Sequence, residues 1–360
     1  MSKVKRKSLK HKLNSCFKLG KHFFIGVDCH KRSYSVAVYQ SGKLISRWTM
    51  PRSHKVFIEF FKPYLSLIAI VVYEAGPTGY SFYRDLEEAG FPVRVAAPGK
   101  TLKSSSSEPK TDHIDSALLA EHASKEILTY INVPTLDEED DRQLIRLRDQ
   151  LKNKRKRIKQ QVRSFLLQHG IDEPEGLNGY WTIAAINELR CLKLGIGLRF
   201  ALDELLSQYG YFIEHIKKLE VELKRLDEKH KDKFEIATSH PGVGPITARK
   251  FIMEVFRPER FKTDKAIGRF LGLAPNIHSS GESSKKRGVI PAGLATLRCC
   301  LIEAAWAWKR IDVKAKKIFD RILKNSGKVQ IAISAVARKL GIHLWAMLIS
   351  ETKYGEHKQA

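Results

Sequence analysis

Apolar and polar residues alternate in three short segments near the beginning of the chain, as they do in strands that bury one face. The segments are FFIGVDCH, SYSVAVYQ and KLISRWTM, and they are separated by the turn-forming sequences HKR and SGK. Turns this short join neighbouring strands into antiparallel hairpins. The pattern therefore predicts three antiparallel strands between residues 23 and 50.

Helical spacing and short apolar runs then alternate along the chain. VFIEFFKPYL and GYSFYRDLEEAG have the spacing of helices, AIVVYEA and FPVRVAAP are typical of buried strands, and HIDSALLAEHASKEI returns to a helical pattern. Strands that are grouped first and then alternate with helices predict a mixed sheet with helices on its faces. This order matches an α/β domain of the ribonuclease H-like fold, which we place at residues 23–135.

Four acidic residues end or open these predicted elements. Asp28 ends the apolar run of the first strand, Glu74 ends that of the fourth, and Asp112 and Asp115 lie three residues apart on one face of a helix. Carboxylate oxygens select Mg²⁺ or Mn²⁺ over zinc. Two such ions, about 4 Å apart, stabilise the attacking and leaving oxygens of a phosphodiester displacement. We therefore predict a metal site on these acids, although any one of them alone is more often a turn or cap residue.

The formal net charge of +25 over 360 residues narrows the choice of partner. Such an excess of cations is typical of a nucleic-acid-binding protein, and a membrane surface is the alternative. The apolar runs are too short and interrupted to span a bilayer, so we expect no membrane partner. Residues 1–22 are basic and lack the features of a signal peptide, and we interpret them as a disordered arm. Five cysteines without C-x-x-C spacing favour a reducing, cytoplasmic compartment over a zinc module.

Residues 136–236 have long, charged helical patterns. Two apolar stripes, joined by an irregular segment over residues 172–197, predict an antiparallel helical hairpin or coiled coil, with dimerisation through the stripes as a further hypothesis. A cluster of cations in the first stripe either contacts phosphates or forms a solvated helix face. Its members are Lys152, Lys154, Arg155, Lys156, Arg157 and Lys159.

The last region, residues 237–360, holds two further candidate sites. A turn with Gly242 and Gly244 enters a helix, whose first backbone N–H groups can hold a phosphate; the alternative is a structural turn. Ser279 and Ser280 stand on a predicted polar loop before a basic run. Serines before glycine are most often loop residues, but a serine can act as a nucleophile where cations stabilise the phosphate charge. The basic run is Lys285, Lys286 and Arg287.

Five motifs in this order carry a resemblance to a known family: FIGVDCHK, VVYEAGPTGY, KTDHIDSALLA, HPGVGPITA and FLGLAPNIHSSGESSKKRG. Over residues 24–354 the chain resembles the DEDD transposases of the insertion sequence 110 family. The resemblance implies a domain like that of Holliday-junction resolvases, a coiled-coil linker and a mainly α C-terminal transposase domain. It also implies that Ser280, or alternatively Ser279, attacks DNA to form a covalent phosphoserine. The four metal-binding acids of the family fall on Asp28, Glu74, Asp112 and Asp115.

The resemblance further implies the partners of the protein. Members of the family use a structured RNA from the ends of their own element to choose donor and target DNA, and they are thought to act as dimers or tetramers. We therefore expect element-end DNA, target DNA, a guide RNA and further copies of the chain. Two other hypotheses stay open. One is a resolvase-like nuclease that cuts junction DNA with metal ions and water alone, and the other is a basic nucleic-acid-binding protein whose acids are structural.

Overall fold

The computed structural model describes residues 13–14, 22–98, 112–280, 283–289 and 293–356. The predicted basic arm therefore lies almost entirely outside the described residues. Contacts along the chain divide it into two compact units, Met1–Val133 and Pro134–Ala360. The first unit is α/β and the second is mainly helical, so the coarse predicted architecture is confirmed.

The first unit contains a five-stranded mixed sheet in the order β3-β2-β1-β4-β5. The first three strands pair antiparallel, while β4 is parallel to β1 and β5 is parallel to β4. This is the predicted grouping of a meander followed by strands with helical crossovers. The strands are β1 (Phe23–Cys29), β2 (Ser33–Gln40), β3 (Lys43–Pro51), β4 (Ile68–Glu74) and β5 (Val93–Ala96).

Helices cover both faces of this sheet. Helices α1 (His54–Phe61) and α2 (Ser81–Glu88) pack their phenylalanines against one face, where Ile25 and Val27 of β1 are fully buried. A short 3-10 helix, Lys62–Leu67, leads from α1 into β4. Helix α3 (Asp112–Ser124) packs on the opposite face. Because successive strand side chains alternate between faces, both faces of β1 are buried over most of its length.

The second unit is built from nine helices and one small hairpin among the described residues. A 3-10 helix, Pro258–Arg260, and the antiparallel strands β6 (Pro275–Ser280) and β7 (Ser283–Val289) interrupt the helices. The helices are α4 (Leu136–Gln168), α5 (Ile183–Cys191), α6 (Ile196–Lys229), α7 (Lys231–Thr238), α8 (Pro245–Val255), α9 (Asp264–Phe270), α10 (Ala295–Ile311), α11 (Val313–Ser326) and α12 (Val329–Ser350).

Helices α4 and α6 pack antiparallel along most of their length. Arg148 of α4 pairs with Glu220 of α6 at 2.9 Å, and Asp141 pairs with Lys229 at 2.9 Å. Helix α4 begins with a capping box, in which Thr135 accepts from the backbone of Glu138. The antiparallel pair was one of the two predicted arrangements, whereas supercoiling and a separate linker domain over residues 136–236 stay predictions.

The segment between α4 and α6 is more ordered than the sequence predicts. It contains helix α5, and Leu177, Trp181 and Leu189 form a small core with Val162 of α4 and Leu202 of α6. This core is separate from the large core shared by the first part of α4, the last part of α6 and the later helices. The predicted irregular segment over residues 172–197 therefore closes the far end of the hairpin.

Helix α12 is long and apolar enough to cross a membrane by length and composition alone. This contradicts the expectation that no apolar run reaches that length. Half of its most apolar stretch of 18 residues is buried inside the unit. Val336, Leu340 and Leu344 are fully buried in the large core. Packing on several sides accounts for its apolar composition.

Candidate active site

Asp28 and Glu74 occupy equivalent positions on neighbouring parallel strands. In the β1–β4 ladder Val27 lies beside Tyr73, so the next residues, Asp28 and Glu74, are adjacent. Val27 and Tyr73 both point into the core beneath α1 and α2. Since side chains alternate along a strand, the two carboxylates lie on the opposite face of the sheet, which is the face that α3 covers.

Two buried serines hold the first turns of α3 near Asp28. Ser35 lies directly opposite Asp28 in the β1–β2 ladder. Its hydroxyl is 3.3 Å from the hydroxyl of Ser116, and both residues are almost completely buried. Ser116 directly follows Asp115, whose side chain is exposed, and α3 begins at Asp112. The structure therefore brings the beginning of α3 to the same part of the sheet as Asp28.

Gly26 lets α3 approach the sheet closely. A Cβ atom at Gly26 would lie 2.6 Å from the backbone nitrogen of Ala120 and would also meet the carbonyl oxygen of Ser116. Any larger residue would push α3 away from β1. Gly26 is not among the residues predicted from the sequence, although a glycine inside a strand pattern is a known sign of close backbone approach.

Two titratable residues, Cys29 and His30, directly follow Asp28 in the chain. The imidazole nitrogen Nε2 of His30 lies 3.0 Å from Oδ2 of Asp28. Burial, and to a smaller extent the Asp28 charge, raise the pKa of the Cys29 thiol to about 12, against the opposing effect of the Arg52 charge. Cys29 is therefore a neutral thiol at physiological pH.

The donor chemistry of the acids fits a hard divalent cation, because all their ligand atoms are carboxylate oxygens. Asp28 is partly exposed, and Glu74 and Asp115 are exposed, so a phosphate can reach them. The side chain of Asp112 is outside the part of the chain that the structure describes. Among the described side chains, no group of three Asp, Glu, His or Cys residues lies close enough together to hold one metal ion. The backbone thus brings the acidic positions to one region without assembling a closed metal site from the described side chains.

The serine segment is a β-hairpin and not the loop that the sequence predicts. Ser280 is the last residue of β6, Ser279 pairs with Ser284, and Ser280 pairs with Ser283. The basic run lies on β7, where Lys285 pairs with His278. Backbone hydrogen bonding between two polar strands, and not apolar alternation, creates this element. Both serines belong to the second unit, whereas the four acids belong to the first.

Gly242 has a packing role in the structure. Its φ of +89° suits glycine, and a Cβ there would lie 2.6 Å from the backbone nitrogen of Trp308 on α10. Gly244 is the N-cap of α8, has open space around it and is exposed. A structural turn therefore accounts for Gly242, while a phosphate contact at Gly244 stays a prediction.

The predicted cation cluster of α4 is largely exposed. Lys152, Lys154, Lys156 and Arg157 are exposed, and none of them forms an ion pair within the described part of the chain. Lys159 differs, because its ammonium lies 5.2 Å from the centre of the Trp181 ring and 5.7 Å from that of Tyr209. Burial lowers the pKa of Lys159, and the charges of Arg155 and Arg163 lower it further. Lys159 therefore helps to cover the small core, and the other cations are available to a partner.

Comparison with known proteins agrees with this arrangement. Residues 25–171 match a family model of DEDD transposases of the IS110 type, and residues 235–320 match the model described as the transposase IS116/IS110/IS902 family. The two matches together include all four acids and both serines.

Several transposases are similar to the chain over most of its length. A putative transposase of Sinorhizobium fredii is 27% identical over 90% of this chain and 88% of its own length. The transposase for insertion sequence element IS1111A of Coxiella burnetii is 26% identical over 92% of this chain and 90% of its own length. The transposase for insertion sequence element IS1328 of Yersinia enterocolitica is 24% identical over 92% of this chain and 98% of its own length. The chain therefore belongs to the IS110 family of insertion-sequence transposases.

Proposed function

We propose that the protein is a DNA recombinase that cuts and rejoins strands through a serine nucleophile assisted by divalent metal ions. The adjacent positions of Asp28 and Glu74 on β1 and β4, with the beginning of α3 tied to the same face through Ser116, are the observation that carries this proposal. Acids from two parallel strands and one helix are an arrangement suited to phosphoryl transfer.

Asp28, Glu74, Asp112 and Asp115 would hold Mg²⁺ or Mn²⁺. When bound, these ions supply positive charge to the phosphate and to the leaving oxygen. Asp28 and Glu74, on hydrogen-bonded strands, provide the rigid part of the site, and α3 provides the rest. The His30 imidazole, whose Nε2 lies 3.0 Å from Oδ2 of Asp28, would help to orient the Asp28 carboxylate before any cation binds.

In the proposed reaction the hydroxyl of Ser280 attacks the phosphorus of a DNA phosphodiester. The Oγ–P bond forms, the P–O bond to one sugar breaks, and the serine proton passes to solvent while the sugar oxygen is protonated. Because the phosphate stays in ester linkage, a sugar hydroxyl can reverse the step and rejoin the strand. Lys285, Lys286 and Arg287 lie on β7 beside β6 and would offset the phosphate charge. Ser279, one residue earlier, is the alternative nucleophile.

The finer architecture of the first unit is also part of the proposal. A sheet in the order β3-β2-β1-β4-β5, with an antiparallel meander and two parallel strands, supports a ribonuclease H-like fold of the resolvase type. We divide the chain into a basic arm at 1–22, this domain at 23–135, a helical or coiled-coil linker at 136–236 and a transposase domain at 237–360.

We propose element-end DNA, target DNA and an element-encoded guide RNA as partners, in the cytoplasm. The net charge of +25 and the exposed cations of α4 support polyanionic partners. A homodimer or homotetramer is supported by large apolar side chains that α6 leaves exposed, including Phe200, Tyr211 and Val221.

A resolvase-like nuclease that uses metal ions and water is the alternative function. The decisive experiment incubates purified protein, its co-purified RNA and Mg²⁺ with labelled element-junction DNA and separates the products under denaturing conditions. We expect a protein–DNA adduct that Ser280→Ala abolishes and Ser279→Ala retains. Asp28→Asn should lose both adduct and cleavage while still binding DNA. Cleavage by Ser280→Ala at the wild-type rate, with no adduct in any variant, would establish the nuclease.

A further inference from the structure

Four cations form a straight row along one face of α11. Lys314, Lys317, Arg321 and Lys324 are spaced by three, four and three residues, so they lie on the same side of the helix. All four are exposed. The opposite side of α11 is buried, with Ala315 and Phe319 in the large core. At 1.5 Å per residue the row is about 15 Å long. We call these four residues the α11 row.

The α11 row has one acidic neighbour on its own helix, the exposed Asp320, which lies three residues from Lys317 and four from Lys324. None of its four members forms an ion pair with any residue that the structure describes. Asp312, just before the helix, caps it by accepting from the backbone of Lys314 and Ala315, and it also accepts from Tyr354 at 2.7 Å. By contrast, exposed cations of α6 have local partners. Lys218 pairs with Glu214, and Arg225 pairs with Glu222.

The C-terminal half of α11 lies near the base of the hairpin that carries Ser280. Ile322, Asn325 and Ser326 of α11 line a cavity of about 710 Å³ together with Pro275 of β6 and Val289 of β7. The α11 row lies on another side of the helix, outside this cavity.

We propose that the α11 row binds the sugar-phosphate backbone of duplex DNA. A duplex carries one phosphate charge per about 1.7 Å of its axis, both strands counted, so about 15 Å of duplex holds about nine phosphates, and those on the side facing the row can pair with its four cations. No exposed residue of α11 is aromatic, and single-stranded nucleic acids are usually bound by stacking on aromatic rings. The row thus has the charge and the shape for a duplex backbone and lacks the groups that hold unpaired bases.

The proposed DNA contact does not depend on the proposed serine chemistry. The variant Lys314→Gln/Lys317→Gln/Arg321→Gln/Lys324→Gln removes the row without touching the core. A matched control, Lys217→Gln/Lys218→Gln/Lys224→Gln/Arg225→Gln on the exposed side of α6, removes the same formal charge. Affinity for a duplex of unrelated sequence is measured for each protein over a series of salt concentrations.

We expect the row variant to bind duplex DNA at least about tenfold more weakly than the wild-type protein at low salt. Its slope of log affinity against log salt should be shallower by about 0.9 for each lost phosphate contact. The control should change the slope by less than about one. Equal losses of duplex affinity in both variants would overturn the proposal, because the net charge of the protein alone would then account for binding. A loss confined to structured RNA would overturn it in favour of an RNA surface.

The same measurement on Ser280→Ala separates this proposal from the proposed reaction. Ser280→Ala should bind duplex DNA as the wild-type protein does, and adding the row substitutions should weaken it as before. If the double variant Ser279→Ala/Ser280→Ala retains full recombination but the row substitutions still weaken binding, the serine mechanism fails and the DNA surface stands. If the row substitutions leave duplex affinity and slope unchanged, the surface fails whatever the serine does.

Discussion

The hydroxyl of Ser35 lies 3.3 Å from the hydroxyl of Ser116, and this contact joins the sheet to α3 across 81 residues of chain. Ser35 is opposite Asp28 and Ser116 follows Asp115. The contact therefore fixes how far the beginning of α3 lies from the acids on the strands. Packing of small buried groups sets the geometry on which the proposed metal site depends.

A double-mutant cycle measures this contact. We expect Ser35→Ala and Ser116→Ala each to lower the free energy of unfolding by about 1 kcal/mol. The double variant should lose less than the sum, with a coupling of at least about 0.5 kcal/mol, because the second change removes no further contact. Urea unfolding monitored in the near ultraviolet gives the values. Strict additivity would show that the two hydroxyls do not stabilise each other.

Gly26→Ala should separate α3 from β1. The added Cβ would clash with backbone atoms of Ser116 and Ala120, so we expect a loss of about 1–3 kcal/mol in the free energy of unfolding and loss of DNA cleavage. Gly76→Ala in the same unit is the control, since its nearest atom is 3.9 Å away, and it should leave both quantities nearly unchanged. Similar stability of the two variants would mean that α3 does not need this close approach.

The ion pair between Asp149 and Lys250 should be much more important for stability than the exposed pairs. Lys250 is almost fully buried, and its ammonium lies 2.6 and 2.8 Å from the two Asp149 oxygens. Asp149→Ala leaves that charge buried without its partner, and we expect a loss of about 3–5 kcal/mol. Lys218→Ala, which breaks an exposed pair on α6, should cost less than about 1 kcal/mol. Chemical unfolding of both variants tests the contrast.

The second unit should lose stability in mild acid because of His240. Burial lowers the pKa of His240 to about 4, the hydrogen bond with the Pro241 carbonyl opposes this, and the charge of His343 adds to it. The unfolded chain has the ordinary value of 6.5 and therefore binds the proton first as the pH falls. This contribution to stability is complete above pH 6.5 and declines toward about pH 4, by up to about 3 kcal/mol.

His240→Leu removes this titration and is the test of it. The free energy of unfolding of the variant should depend less steeply on pH between about 6.5 and 4 than that of the wild-type protein. Thermal unfolding across this pH range provides the comparison, and a lower stability of the variant at neutral pH does not affect the slope. Parallel curves for the two proteins would exclude His240 as the group responsible.

Metal binding can be detected without activity. Mn²⁺ should raise the melting temperature of the wild-type protein, because a cation that binds only the folded chain stabilises it by mass action. Asp28→Asn removes a negative ligand that the other acids cannot replace, so its melting temperature should respond far less. Ser280→Ala should respond as the wild-type protein does. An equal response in Asp28→Asn would place the metal elsewhere.

The sheet and the acidic positions were predictable because local patterns determine them. Alternation in FFIGVDCH and the apolar run before Glu74 identify the strands, and their parallel pairing follows from the helical crossover. The hairpin at Ser280 was not predictable in this way. Its strands are polar, so no alternation distinguishes them from a loop, and the pairing of Ser279 with Ser284 is a backbone property.

Contacts between residues that are far apart in the chain were also not predictable from the sequence. Asp149 and Lys250 are 101 residues apart, and each looks like an ordinary surface residue of a charged helix. Trp181 lies in a segment without a helical stripe, because its apolar neighbours fold around the ends of two other helices. Burial of such groups depends on how the helices pack, which periodicity within one element does not specify.

The uninterrupted helix α4 fixes the distance between the large core and the small core of the second unit. Ile145 belongs to the large core and Val162 to the small one, and the two positions are 17 residue steps apart along the helix. At 1.5 Å per residue this spacing is about 25 Å, close to the rise of seven base pairs. The distance is set by helical geometry and not by a loop, and α6 spans the same interval. The exposed cations of α4 between the two cores, such as Lys152 and Lys156, are therefore held at fixed distances from each core.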